Sequence, residues 1–410
     1  MIDPKIAAFI ESEKKRQEET LMMIPSENYA SRGVLAALGS VLQNKYAEGY
    51  PGRRYYQGQE WVDCVENLAI SRARKLFGVL HVNVQPYSGS PANAAVYFAL
   101  LDRDDKIMGL DLASGGHLTH GHPKITFSGK YFSSLRYQVG KDGFIDYNQV
   151  EAIALKEKPK IIVAGTTSYS RILDFSRFAQ IADRVGAYLM ADIAHIVGLV
   201  IAGVHPSPVS YADIITTTTH KSLRGPRGAM IMVTQKGLNK EPDLGRKIDR
   251  AVFPGLQGGP HENNIAAIAV ALKEAGGKPF RQYGKQTVKN AFYLAERLTK
   301  LGFEIVSGGT DNHLMVIDLR NQKIGGKEAA ELLESAGIVV NANSIPFDPN
   351  PPLTPSGIRL GTPALTTRGM KEKEMAQIAE WIAQVINNHS WAGKVKQAVK
   401  KLTKSFPVYA

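Results

Sequence analysis

Between residues 160 and 234 the chain alternates short apolar runs with amphipathic stretches, and this alternation narrows the fold more than any other feature. "KIIVAG" (160–165), "AYLMA" (187–191) and "GAMIMVT" (228–234) read as buried strands. Phe178, Ile181, Ala182 and Val185 recur at helical spacing between the first two and stop at Gly186. Strand–helix–strand order over such short distances predicts an α/β fold with a mostly parallel sheet. Sheets of that kind hold ligands at the carboxyl ends of their strands. After about residue 270 the pattern changes. "GFEIV", "HLMVIDL" and "GIVVNAN" are enclosed by long helical stretches, one of them marked by Met375, Ile378, Ile382, Val385 and Ile386. The expected organisation is an N-terminal helical arm over 1–40, a large α/β domain over 41–270 and a smaller C-terminal α+β domain over 271–410.

Composition excludes some function classes. No apolar run reaches the roughly 18 residues of a membrane span. The start, "MIDPKIAAFIESEKKRQEE", carries acids throughout and lacks the apolar core of a secretion signal. Asp3-Pro4 there is a cap-and-first-turn pair, with Ile6, Phe9 and Ile10 as an apolar stripe. Cys64 is the single cysteine, so no internal disulfide forms and the cytosol is the expected compartment. The net charge of +12 raises a polyanionic partner. The lysines are scattered, however, except for Lys394, Lys396, Lys400, Lys401 and Lys404, which share a segment with Trp391, Val395, Val399 and Leu402 at helical spacing. That segment reads as an amphipathic helix with a solvated basic face, and no nucleic-acid partner is expected.

Chemistry concentrates at strand ends. In "IITTTTHKSLRGPRG" (214–228) a strand runs into His220 and Lys221, and a turn rich in Arg, Gly and Pro follows. A desolvated lysine near other cations gives up its proton readily, and the neutral amine forms Schiff bases. Taken alone, a surface lysine at a strand end is the plainer reading. Asp192 ends the strand "AYLMA", with His195 three residues on. A carboxylate there suits a protonated pyridine nitrogen, or simply caps the next segment. Ser88, Gly89 and Ser90 in "YSGSPANAA" precede a helix with Pro91 in its first turn, a place where backbone N–H groups receive a phosphate. "GLQGGP" (255–260) is a second glycine cluster, and "NKYAEGYPGRRYY" (44–56) has the look of a binding loop. "GGHLTHGH" (115–122) invites a zinc reading, but no familiar ligand spacing or cysteine cluster assists it, and no metal is expected.

In order along the chain stand "SENYAS", "NKYAEGYPGRRYY", "QPYSGSPANAAVY", "GGHLTHG", "AYLMADIAHIVGL", "TTTTHKSLRGPRG", "VFPGLQGGP" and "SGIRLGTPA". This ordered set resembles the serine hydroxymethyltransferase family over nearly the whole chain. The resemblance implies the fold type I of pyridoxal 5'-phosphate (PLP)-dependent transferases, with a mostly parallel seven-stranded sheet. It implies reversible transfer of serine's hydroxymethyl carbon to tetrahydrofolate, giving glycine and 5,10-methylenetetrahydrofolate, a step of one-carbon and amino-acid metabolism. It also implies a homodimer or tetramer with shared active sites.

By the same resemblance, Lys221 is the lysine that carries PLP, Asp192 the partner of the pyridine nitrogen and His117 the imidazole stacked on the ring. His195 and Thr167 fall near the cofactor's oxygen; Ser88, Gly89, Ser90 and His220 fall at its phosphate. Gly258 and Gly259 reach the phosphate from a neighbouring subunit. Arg359 and Ser26 face the substrate carboxylate. Tyr46, Glu48 and Tyr56 come from the adjoining subunit, with Glu48 the acid/base candidate. Leu112, Gly116, Leu118 and Asn343 fall where the family binds folate. Two positions depart from the family pattern: Thr167 replaces a serine whose hydrogen bond a threonine can also make, and Ser114 stands where histidine is common.

Overall fold

The computed structural model describes residues 3–123 and 125–409. The chain forms two compact units, Ala30–Gly284 and Met1–Tyr29 together with Lys285–Ala410. The boundary falls within the helix Lys278–Lys300.

The Ala30–Gly284 unit is built on a seven-stranded sheet. From one edge its strands are His81–Asn83, Ala229–Val233, Ile214–Thr218, Tyr188–Asp192, Ile161–Gly165, Lys106–Leu110 and Ser133–Tyr137. Only Ala229–Val233 runs against its neighbours; the other pairings are parallel. Ile161–Gly165, Ile214–Thr218 and Ala229–Val233 are buried at every position, as strands covered on both faces must be. The crossover helix Phe175–Val185 starts where Asp174 accepts from the Arg177 N–H and ends at Gly186, whose φ of 72° closes the last turn. Its Phe175, Phe178, Ile181 and Ala182 are buried. Ile161, Val163, Met190, Ile214, Ile231 and Val233 share a core with Val96 and Tyr97 of the helix Gly89–Leu100.

The other unit carries a four-stranded antiparallel sheet in the order Glu304–Ile305, Leu314–Asp318, Gly357–Gly361, Asn341–Asn343. Met375, Ile378, Ile382, Val385 and Ile386 of the helix Glu372–Asn387 are buried, and Val395 and Val399 of Ala392–Lys404 join the same core. The basic face of that last helix is solvated, with Lys400 paired to Glu19 at 2.8 Å.

Asp3 caps the N-terminal helix Pro4–Glu19, accepting from the Lys5 and Ile6 N–H groups. Ile6, Phe9 and Ile10 are exposed, so the stripe they form faces solvent in this chain. The end of the helix is clamped. Buried Arg368 donates to the carbonyls of Gln17, Glu18, Thr20, Thr403 and Phe406. Leu21–Met22 then pairs in parallel with Ile338–Val339. Those bonds explain why the first 29 residues belong with the C-terminal unit. Among the described residues, no helix is long and apolar enough to cross a membrane.

Candidate active site

The carboxyl ends of the central strands bring one set of expected residues together. Asp192 closes its strand opposite Gly165. A Cβ on Gly165 would stand 2.7 Å from the Asp192 Cβ, so only glycine leaves room there. Asp192 Oδ2 accepts from His120 Nε2 and from Asn93 Nδ2, both at 2.9 Å, and Oδ1 accepts from the Ala194 N–H at 3.0 Å. Burial works against ionising this carboxyl. The His120 hydrogen bond and charge and the Asn93 amide overcome it and hold the group well below the usual carboxylate range. Asp192 is therefore a fixed anion.

His117 lies beside it, its ring centroid 5.5 Å from that of His120. Asn93 Nδ2 also donates to Thr119 Oγ1, which leaves the threonine hydrogen for His117 Nδ1 at 2.7 Å, and the Thr119 N–H reaches the same nitrogen at 3.2 Å. An Nδ1 that accepts twice belongs to a neutral ring protonated at Nε2. Burial, with the positive charges of His120 and Lys221 adding to it against Asp192, lowers the His117 pKa to about 4. The ring is uncharged at neutral pH and feels both Asp192 and Lys221.

Lys221 follows the strand Ile214–Thr218, with Nζ 3.4 Å from Thr218 Oγ1. The turn after it is fixed by backbone bonds from Gly225 N–H to Thr219 O, from Arg224 N–H to Lys221 O and from Thr219 N–H to Gly228 O. Ser222 Oγ donates to His195 O and accepts from the Gly198 N–H, which ties the lysine turn to the segment after Asp192. The Arg224 guanidinium lies over the rings of Tyr283 and Phe280, at 4.3 and 5.2 Å from their centroids. His195 is buried.

The helix Gly89–Leu100 begins against this turn. A Cβ on Gly89 would lie 2.8 Å from Thr218 Cγ2, and Ser88, at the cap position, makes no capping bond with its side chain. His220 Nδ1 is buried without a hydrogen-bond partner, and burial, then the charges of Lys221 and Arg227, lowers the ring's pKa to about 3. An orphaned imidazole nitrogen, an uncommitted serine and a helix N-terminus are the parts a phosphate needs. With an anionic carboxylate for a pyridinium and a lysine amine, the donor set fits PLP. Thr167 Oγ1 donates to Gly116 O at 2.8 Å, so its hydroxyl braces the segment that carries Leu112, Gly116 and Leu118. Ser114 is buried, its Oγ accepting from the Val139 N–H at 3.4 Å.

Tyr46, Glu48 and Tyr56 gather instead around Gly258 and Gly259. Tyr46 donates to Glu48 Oε1 at 3.1 Å and meets Tyr56 edge-on at 5.1 Å. A Cβ on Gly258 would lie 3.3 Å from Glu48 Oε1, and one on Gly259 3.5 Å from the Tyr46 ring. The two segments behind them are spliced. Tyr87 donates through its hydroxyl to Gly259 O and stacks on His261 at 4.2 Å, while Gln257 bridges the Tyr87 N–H and Gln85 O.

In the other unit Arg359 occupies the middle of Gly357–Gly361, with Nε donating to Asn341 Oδ1 at 3.2 Å. Burial alone lowers its guanidinium to about 10. Ser26 is half-buried; the Gly361 N–H donates to Met23 O, which docks its segment beside the end of Arg359's strand. Asn343 Nδ2 donates to Ser344 O.

The residue reading did not single out His120, Asn93 or Thr119. The signal for His120 was its place three residues after His117; Asn93 sits one helical turn past Gly89.

The serine hydroxymethyltransferase family model matches residues 1–382. A serine hydroxymethyltransferase of Desulfotalea psychrophila is 53% identical over 408 residues, covering 99% of this chain and 94% of its own length. One of Acidothermus cellulolyticus is 54% identical over 415 residues, covering 99% of this chain and 95% of its own.

Proposed function

The chain belongs to the serine hydroxymethyltransferase family, and from that premise we infer how its own residues divide the work. The reaction is reversible transfer of the serine hydroxymethyl carbon to tetrahydrofolate, giving glycine and 5,10-methylenetetrahydrofolate. PLP, when bound, supplies an aldehyde for an amine and a ring that takes up electrons from a breaking bond.

Lys221 is the amine that would hold that group covalently. Asp192, a fixed anion, keeps a proton on the ring nitrogen. His117, uncharged, would face the ring without repelling a cation, and His195 and Thr167 would border its oxygen. Ser88, Gly89, Ser90 and His220 take the phosphate. Arg359 clamps the serine carboxylate through a planar fork, with Ser26 beside it. When the Cα–Cβ bond breaks, the serine hydroxyl proton must leave, and Glu48 receives it. Proton transfer by such a group contributes about 10²–10⁴-fold. Tyr46 donates to Glu48 and holds it, with Tyr56 packed against the tyrosine. Leu112, Gly116, Leu118 and Asn343 contact the folate.

The site is shared between two copies of the chain. Tyr46, Glu48 and Tyr56 collect with Gly258 and Gly259, and Tyr46, Tyr55, Tyr56 and Trp61 are exposed aromatics in one stretch of chain. We assign these to the partner's site. The single cysteine supports a cytoplasmic enzyme.

The observation that carries the reading is the Asp192 anion, largely buried and bonded on both oxygens, on the strand next to the one that leads into Lys221. An absorbance titration tests it. PLP should give a visible band that shifts on adding glycine and shifts again with tetrahydrofolate, and serine cleavage should rise strongly with the folate. A protein that stays colourless overturns the reading. Mixing Lys221→Ala with Glu48→Gln chains should restore activity through hybrid sites; a fully active monomer overturns the sharing.

A further inference from the structure

Three carboxyl groups crowd one guanidinium inside the Ala30–Gly284 unit. Arg54 is 3% exposed at its side chain, Glu66 1% and Glu262 0%. Glu66 occupies the apolar stripe of the helix Glu60–Phe77, in line with Val62, Ala69 and Ala73. Glu262 is the first residue of the helix Glu262–Ala275. Arg54 Nε donates to Asp63 Oδ1 at 2.8 Å and Nη2 to Glu66 Oε2 at 2.6 Å. Nη1 donates to Ala47 O at 2.8 Å and to Gly49 O at 3.0 Å. Glu66 Oε1 accepts from Gln85 at 2.8 Å, and the same amide reaches Gly49 O. The guanidinium and Gln85 therefore grip the backbone on both sides of Glu48.

Glu262 stands outside this arrangement. Its Oε1 is 3.8 Å from Arg54 Nη2, beyond hydrogen-bond reach, and neither of its oxygens has a partner. Asp63 is partly in solvent, which leaves Arg54 to neutralise Glu66. An ionised Glu262 would be a buried anion with no hydrogen bond, which is costly. The helix N-terminus favours a negative charge, but none of its N–H groups reaches these oxygens. Burial, with the charges of Glu66 and Asp63 adding to it against Arg54, pushes the group up to about 8.

We propose that Glu262 is a positioning residue held as a neutral acid, whose proton leaves Arg54 free to fix the Ala47–Gly49 turn around Glu48. Once the proton passes to solvent, the new anion draws Nη2 from Glu66 and slackens the turn. The catalytic consequence rests on the role given to Glu48 above; the proton on Glu262 does not.

A group whose folded pKa is raised contributes fully below its unfolded value near 4.5, and its contribution is lost as pH climbs to about 8. The test uses PLP-loaded wild type and E262Q between about pH 6.5 and 10. Wild-type kcat should fall along an alkaline limb with a midpoint near pH 8, and E262Q should lack that limb while matching wild type within about twofold at pH 7. The thermal midpoint of wild type should drop by several degrees over the same range, and that of E262Q should not. Infrared difference spectra of wild type should lose a protonated-carboxyl band that E262Q never shows. An identical limb in both proteins overturns the proposal, as does the absence of the band from wild type at pH 7. If E262Q does not fold, Glu262→Met, an uncharged side chain of similar length, replaces it in each comparison. Should Glu48→Gln keep its turnover, the reading of Glu48 fails while the infrared result still decides the proton.

Discussion

Asp192 and Glu262 are both largely buried carboxyl groups beside a cationic side chain, and the protein handles them in opposite ways. Asp192 has three hydrogen-bond donors close by: His120, Asn93 and the Ala194 N–H. Glu262 has one guanidinium at 3.8 Å, and that guanidinium is already committed to Glu66. Depth of burial does not decide which form a carboxyl takes. Hydrogen-bond donors that replace the lost water weigh against it, outweighing burial at Asp192 but not at Glu66, whose carboxyl is still pushed up. The strand-end region thus fixes a charge permanently, and the loop region leaves one negotiable by a single proton.

The comparison can be broken from either side. Lys221→Ala should have the largest effect: borohydride no longer fixes PLP to the chain, and folate-dependent serine cleavage vanishes. Asp192→Ala should follow, with loss of activity and a stability cost of about 3–5 kcal/mol, because it leaves His120 buried and unmatched; urea denaturation measures it. The depressed pKa of Asp192 means its stabilisation is present above the unfolded value near 3.8 and is lost only as pH falls far below it. Acid denaturation of wild type, compared with this variant, checks the sign. Glu48→Gln should bind PLP normally yet lose about 10²–10⁴-fold in kcat for serine. Smallest is Arg54→Lys. A compact ammonium cannot span Ala47 O, Gly49 O, Asp63 and Glu66 together, and kcat should fall about tenfold, ~1.4 kcal/mol of barrier, with cofactor binding unchanged. A full-rate Arg54→Lys enzyme would show that the turn around Glu48 holds itself.

The mostly parallel sheet was legible because its strands are short, apolar and separated by helical periodicity; the runs at 160–165, 187–191 and 228–234 became Ile161–Gly165, Tyr188–Asp192 and the antiparallel Ala229–Val233. The N-terminal helix was legible from Asp3-Pro4, but its attachment was not. Arg368 reaches it from more than 300 residues away, and no local pattern encodes that. Lys221, Asp192 and Ser88–Ser90 could be picked out because chemistry at strand ends and helix starts leaves local marks. The resemblance, rather than periodicity, supplied Glu48 and Arg359. Arg54, Glu66 and Glu262 stayed hidden because charged side chains read as solvated surface. The one clue was Glu66 sitting in register with Val62, Ala69 and Ala73 on a buried helical stripe.

The helix Gly89–Leu100 begins at the proposed phosphate cradle and, one turn later, presents Asn93 to Asp192. A single rigid rod therefore gauges both ends of whatever lies between them, with a spacing set by the rise of one helical turn, about 5.4 Å. Any slip of that rod displaces anion grip and carboxylate partner by the same vector. Recognition at the two poles is mechanically geared, so a shift at one pole carries through to the other.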